Sequence, residues 1–243
     1  MSSTQAASTR FELAPRHAAV VAGLVYLLNT TPLAEYLYSR IVVPGNIEQT
    51  TINLSAHKFV AAGAFFAYVL NLVGDVVMAW AIYFMLAPVN RSLSLLAAWF
   101  QLMYAAVALS VTMPLLTAWN LVNESDFRTL FDDAQIRSQV SLLLHSFRDS
   151  WSMSLSIFGI HLVLVGALIL RSSYVPRVIG ILLIINGLGW LVGTVGPYVF
   201  PDADLGYVSI SYLGEAVFML WLLIKGRKIA PSAATRELAL SAA

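Results

Sequence analysis

An all-α polytopic membrane bundle of six transmembrane helices is the fold class this sequence predicts, and three observations predict it. Six long apolar stretches fill the 243 residues. Only 11% of the residues are charged and the mean hydropathy is +0.77, whereas soluble domains run at about a quarter charged. Polar side chains inside the apolar stretches also recur at one depth. Counted from one set of span ends, Gln101 lies ten residues past Arg91, His161 ten before Arg171 and Glu215 ten before Lys225. Asn186 lies nine past Arg177 and Asp75 eleven before Leu86. At ~1.5 Å per helical residue these offsets are roughly 14–17 Å, half of a ~30 Å hydrocarbon core.

The chain divides into a polar N-terminal tail over residues 1–15, a transmembrane domain over 16–228 and a short cytoplasmic tail over 229–243. The first span covers about 16–38. The run Asn29-Thr30-Thr31-Pro32 interrupts it, and Pro32 removes a backbone donor and crowds the preceding turn, so a kink is expected there. Its Asn29/Glu35 side is expected to face protein. No small-x-small cleavage pattern follows this segment, so it reads as a retained helix rather than a signal peptide. Val43-Pro44-Gly45-Asn46 then breaks the chain.

The second span, about 58–86, carries Asn71, Gly74 and Asp75, and Pro88-Val89-Asn90-Arg91 turns it into the third. The third covers about 92–122, with Gln101 inside and Pro114 in its outer half. The polar connection over 123–141 repeats Phe127, Leu130, Phe131 and Ala134 at helical spacing, which predicts a short amphipathic helix at the membrane surface. The fourth helix begins near Asp133 or Ala134 and runs to Arg171, roughly 57 Å, so its outer part must project beyond the bilayer or break from the axis. The fifth, about 176–200, is rich in glycine, which suits a closely packed central helix. The sixth covers about 207–224 after the acidic loop Pro201-Asp202-Ala203-Asp204.

Basic residues set the orientation. Arg10, Arg16, Arg91, Arg171, Arg177, Lys225, Arg227, Lys228 and Arg236 fall on one side, against Arg40, Lys58, Arg128, Arg137 and Arg148 on the other. The larger set predicts a cytoplasmic position for both termini. A net charge of +1 is too small for an extensive nucleic-acid footprint, so the expected partners are the bilayer and a small solute or ion. With no cysteine, disulfides, thiolate ligands and thiol nucleophiles are excluded. Gly-x-Ser-x-Gly, the phosphate-binding glycine loop and His-Glu-x-x-His are all missing.

Pro88-Val89-Asn90-Arg91-Ser92-Leu93, Phe158-Gly159-Ile160-His161 and Arg171-Ser172-Ser173-Tyr174-Val175-Pro176-Arg177 resemble one bacterial family. Gly214-Glu215 and Trp221-Leu222-Leu223-Ile224-Lys225-Gly226 extend the likeness over about residues 16–228. The sequence is similar to the integral membrane family catalogued as domain of unknown function 4386. The resemblance implies a multi-pass protein of six helices in the bacterial inner membrane, and no particular activity. Asp75, His161 and Glu215 match its pattern; Gln101 stands where the pattern has arginine, so no charge-paired cluster is carried over.

Asp75, His161 and Glu215, with Gln101 and Asn186 lining, are the candidate site. A carboxyl group at mid-bilayer costs several kcal/mol unless it faces protein with a partner, and such groups mark ion or proton pathways. The same residues suit interhelical hydrogen bonding. Asp75, His161 and Glu215 also supply a donor set for a divalent metal, the only cofactor the sequence suggests. Three functions are therefore expected candidates: binding or passage of a proton, cation or small polar solute; an intramembrane metal-dependent hydrolase; and a structural or accessory membrane subunit. His145, Arg148 and Asp149 share the outer part of the fourth helix and read either as a ligand mouth or as a solvated surface.

Overall fold

Where the chain is apolar it is helical, because in hydrocarbon every backbone N–H and C=O must be satisfied within the segment. A computed structural model of the protein describes residues 13–203 and 205–229. Among these are nine α-helices: α1 (Pro15–Asn29), α2 (Leu33–Ile41), α3 (Ile47–Ala56), α4 (Lys58–Leu86), α5 (Arg91–Asn123), α6 (Ser125–Leu130), α7 (Asp133–Arg171), α8 (Arg177–Val199) and α9 (Leu213–Lys225). No strand occurs among the described residues. Six segments are long and apolar enough to cross a membrane, the first being α1 and α2 together and the last combining a 3₁₀ turn with α9. Arg10 and Arg236, two of the residues used to orient the protein, lie outside the described residues.

The six spans close into a ring. Helix α1 packs against α4 and α9, α4 against α5, α5 against α7, α7 against α8, and α8 against α9. The main core cluster draws Tyr26 from α1, Leu72 and Met78 from α4, Tyr104 from α5, Phe158 and Leu162 from α7, Leu183 from α8 and Phe218 from α9. A second cluster sits at the end of the bundle away from the described termini. There Ile41, Leu54, Leu121, Val122, Ile136 and Val140 join α2, α3, α5 and α7.

The tightest seam is between α7 and α8, where two glycine pairs face each other. A methyl group added at Gly159 would lie 2.6 Å from the Gly187 carbonyl oxygen, and one at Gly166 2.6 Å from that of Gly180. The pairs are seven residues apart on each helix, so they repeat every two turns on one face and hold the antiparallel backbones in contact. Caps set the other ends. Asn90 accepts from the Leu93 amide to start α5 (2.9 Å), and Asp132 with Gln135 forms a reciprocal capping box that starts α7.

Several sequence expectations change in detail. The kink at Pro32 is a full break: α1 stops at Asn29 and α2 starts at Leu33 with Pro32 at its N-cap. Helix α3 follows the 43–46 turn as an element the apolar pattern does not predict; its signal is polar, the Asn46 side chain accepting from the Gln49 amide. The short helix expected in the third connection is present as the six-residue α6, but it stops at Leu130. Its hydrophobic repeat is cut because Phe131 is extended and Ala134 already belongs to α7. Helix α7 does not break; its 39 residues run continuously and so project past the membrane. The sixth span opens as a 3₁₀ turn, Gly206–Tyr212, before α9.

Two outcomes test this packing. Gly166→Val should destabilise the bundle by about 1–3 kcal/mol through overpacking. Gly63→Ala, whose new methyl would meet only Leu37 at 3.6 Å, should be neutral or stabilising. Equal detergent melting curves for wild type and Gly166→Val would refute the close approach. The second outcome concerns Tyr174, in the turn between α7 and α8, which donates to the Met85 carbonyl at 2.6 Å. Burial pushes its phenol from 10.0 up to about 12, favouring the neutral form. A raised folded-state pKa means the contribution is complete below pH 10.0 and is lost as pH climbs through about 12. Tyr174→Phe should therefore be less stable at neutral pH and lack that part of the alkaline decline.

Candidate functional site

The broken first span places two polar side chains into the ring. On α1, Tyr26 and Asn29 are three residues apart and thus on one face. Asn29 reaches α4, where its Nδ2 donates to the Asn71 carbonyl (3.1 Å) and to Asp75 Oδ1 (3.2 Å). Gly74 makes that approach feasible, since a side chain there would meet the Asn29 amide. From the other side Gln101 Nε2 of α5 donates to the same Asp75 oxygen at 3.0 Å. Asp75 is thus gripped between α1 and α5.

Glu215 is held in parallel fashion. Asn186 Nδ2 and Trp190 Nε1, one turn apart on α8, donate to its Oε1 at 2.8 and 3.0 Å. The Tyr26 hydroxyl donates to its Oε2 at 3.3 Å. Gly214 allows α9 to lie this close to α8: a methyl there would be 2.7 Å from the Leu182 carbonyl oxygen and 3.2 Å from Asn186 Cβ. The Trp190 ring is fixed by stacking on Tyr212 (4.0 Å) and by an edge contact with Phe158 (6.3 Å). Helix α1 therefore touches both acids, Tyr26 on Glu215 and Asn29 on Asp75.

Both amides use their nitrogen on a carboxyl group and leave their oxygen over. Gln101 and Asn186 are fully buried, and among the described residues nothing donates to Gln101 Oε1 or Asn186 Oδ1. Neither carboxyl group has a salt bridge among the described residues; the ion pair there is Arg148–Glu35, far along the bundle. Every donor on Asp75 and Glu215 among the described residues is neutral, so this cluster is rich in acceptors and short of positive charge.

His161 stands apart from this pair. Its ring is buried and its Nδ1 lies 2.8 Å from the Ala97 carbonyl oxygen, one turn from Gln101 on α5. A carbonyl only accepts, so Nδ1 carries the proton and Nε2 presents the lone pair in the neutral ring. The ring also stacks on Phe158 at 5.9 Å. The five expected residues thus resolve into Asp75 with Gln101, Glu215 with Asn186, and His161 on backbone. Among the described residues no group of three or more His, Asp and Glu is placed to hold a metal ion.

Three contributors lie outside the five expected residues. Asn29 is on the side of the first span expected to face protein, and it does so, but its bond to Asp75 is not foreseen. Tyr26 and Trp190 look like ordinary membrane aromatics; their one sequence signal is spacing, three residues before Asn29 and four after Asn186.

A double-mutant cycle should resolve the two clusters. Trp190→Phe combined with Glu215→Ala should show a coupling of about 1–2 kcal/mol, because each change removes the same hydrogen bond. Trp190→Phe with Asp75→Asn should be additive within about 0.5 kcal/mol. Equal coupling to both acids, measured by reversible unfolding in detergent, would mean the acids do not have separate hydrogen-bond sets.

An Archaeoglobus fulgidus protein described as an uncharacterized protein is 28% identical over 184 residues, which is 76% of this chain and 94% of that protein. No solved structure matches. The pattern of the family described as domain of unknown function (DUF4386) matches residues 21–226, which includes Asp75, Gln101, His161, Asn186 and Glu215. The chain belongs to this family.

Proposed function

We propose that this membrane protein binds, or lets pass, a proton or cation at the polar cluster formed around Asp75 and Glu215. One observation carries the reading: two carboxyl groups inside the ring receive hydrogen bonds from neutral donors alone, with no basic partner among the described residues. A carboxylate in that setting is expensive unless a proton or a cation joins it. The two unpartnered amide oxygens point the same way, because they add acceptors and no charge. A small polar solute that donates hydrogen bonds meets the same requirements; an anion does not.

The broken span supports the reading. Half-helices that stop inside a bundle recur at ion sites in membrane transporters, where the freed backbone lines a cavity. Here the Thr30 and Thr31 hydroxyls take up the Leu27 and Leu28 carbonyls (2.9 and 2.6 Å), which lets α1 end beside Asp75. Gln101 and Asn186 act as positioning residues, each fixing one carboxyl oxygen. The hydrolase alternative requires His161 to join both acids around one ion, whereas its Nδ1 bonds the Ala97 carbonyl of α5 instead.

Reconstitution into vesicles with a pH-sensitive dye and a panel of sodium, potassium and ammonium salts tests the proposal. The wild type should move protons or one of these cations faster than empty vesicles. Asp75→Asn and Glu215→Gln, both isosteric, should each reduce the rate at least about tenfold, a loss of about 1.4 kcal/mol, with melting temperatures close to wild type. Vesicles no leakier than empty ones, together with no salt-dependent shift in melting temperature, would leave the polar cluster as packing alone.

A further inference from the structure

A second site lies at the other level of the bundle, independent of the carboxyl cluster. Helix α2, the turn at residues 42–46 and the start of α3 face the projecting part of α7 across a cleft of about 660 Å³. Its volume is in the range of small-molecule sites. Arg148 is thirteen residues from His161 along an unbroken helix. That is ~20 Å from the midplane, beyond the ~15 Å half-thickness of the hydrocarbon and within the headgroup layer. The ligand that abounds at this depth is a phospholipid head.

The cleft carries matched opposite charges held from outside. Arg148 Nη1 lies 3.3 Å from both Glu35 carboxyl oxygens. Glu35 is anchored separately by the Tyr68 hydroxyl at 2.8 Å, and Tyr68 is itself wedged between the rings of Phe147 and Trp151. The Arg148 guanidinium sits 5.5 Å from the centre of the Tyr38 ring. Both charges are therefore positioned by groups other than each other. The pair is half exposed, 52% and 54%, and so contributes little and is readily exchanged for a better partner. His145, one turn along α7, adds a further ring nitrogen on the same face, its Nδ1 bonded to the Ser141 carbonyl. Beside these polar groups the walls are apolar, formed by Val42, Ile47 and Leu144.

We propose that this cleft binds a bilayer phospholipid with a zwitterionic, primary-amine head, a phosphatidylethanolamine. The phosphate sits on Arg148, the ammonium on Glu35 beside Tyr38, and the start of the acyl chains lies on the apolar wall. The lipid replaces one weak ion pair with two, each of opposite sign and each already aimed. An anionic lipid without an amine leaves Glu35 facing like charge. A quaternary amine brings the charge but no N–H for the carboxylate.

The test is native mass spectrometry of the full-length protein in detergent, titrated separately with dioleoyl phosphatidylethanolamine, phosphatidylglycerol and phosphatidylcholine. One phosphatidylethanolamine per chain should be retained preferentially. Arg148→Gln and Glu35→Gln should each weaken that binding about tenfold while melting near wild type, since both side chains are exposed. Free phosphoethanolamine at matched concentration should not compete. Equal retention of the three lipids, or unchanged binding in both variants, would overturn the proposal; effective competition by the free head would replace the lipid with a soluble zwitterion and overturn it as stated.

Discussion

Carrying two carboxyl groups through hydrocarbon is the constraint around which this bundle is arranged. Water is absent at that depth, so each acid must find its hydrogen bonds on neighbouring helices, and a helix can offer donors only where its backbone comes close. Small residues supply the closeness. Gly74 admits Asn29 to Asp75, and Gly214 admits α9 to Asn186 and Trp190. The facing glycines of α7 and α8 then bring His161 and Asn186 onto neighbouring, closely packed helices. In lipid, where apolar burial between helices gives little driving force, these contacts and the polar bonds they permit are what set the helix order around the ring.

Hydrogen-bonding glue alone does not account for the way the amides are used. An interhelical Asn or Gln placed for stability commonly satisfies both ends, because an unpartnered buried oxygen costs about 1–3 kcal/mol. Here Gln101 and Asn186 each satisfy one end, and in both cases it is the end that serves a carboxyl group. The repetition of the same arrangement toward both neighbours of α1, α4 and α9, argues that the acids, rather than the amides, are what the cluster presents. His161 is different. Its bond to the Ala97 carbonyl ties α7 to α5 and fixes the ring's tautomer, a positioning role that leaves Nε2 as its chemically available atom.

The fold was legible because its signals are long-range averages of composition. Six runs of apolar residues interrupted by Pro, Gly and Arg give six spans, and the long fourth helix is readable from about Asp133 to Arg171. Helical rise converts sequence offset into distance and put Asp75, Gln101, His161, Asn186 and Glu215 in one layer, but the pairing of Asp75 with Gln101 and of Glu215 with Asn186 came only with the structure. Rotation about each helix axis was not legible. Nothing in a single apolar span says which way Tyr26 or Trp190 points, as lipid-facing and core-facing positions are both hydrophobic. The same ambiguity hid His161's choice of a backbone carbonyl. Helix α3 and the end of α6 were missed for another reason: outside the membrane, caps and single polar residues decide short helices, and the hydrophobic repeat across Phe127–Ala134 is cut by the Asp132 cap.

The break at residues 30–32 connects these two levels of organisation. On an unbroken helix the six residues from Asn29 to Glu35 would turn through ~600°, leaving the two side chains about 120° apart. Both nevertheless meet α4: Asn29 at Asn71 and Asp75, Glu35 at Tyr68. Tyr68, Asn71 and Asp75 lie along one stripe of that helix, so a single face of α4 receives both halves of the first span. Only an interruption between Asn29 and Leu33 allows this, and Pro32 with the two threonine hydroxyls provides it by closing off the carbonyls that the missing turn exposes. The interruption that blurs the first span in the sequence is therefore what lets it serve the carboxyl cluster with α1 and the Arg148–Glu35 cleft with α2.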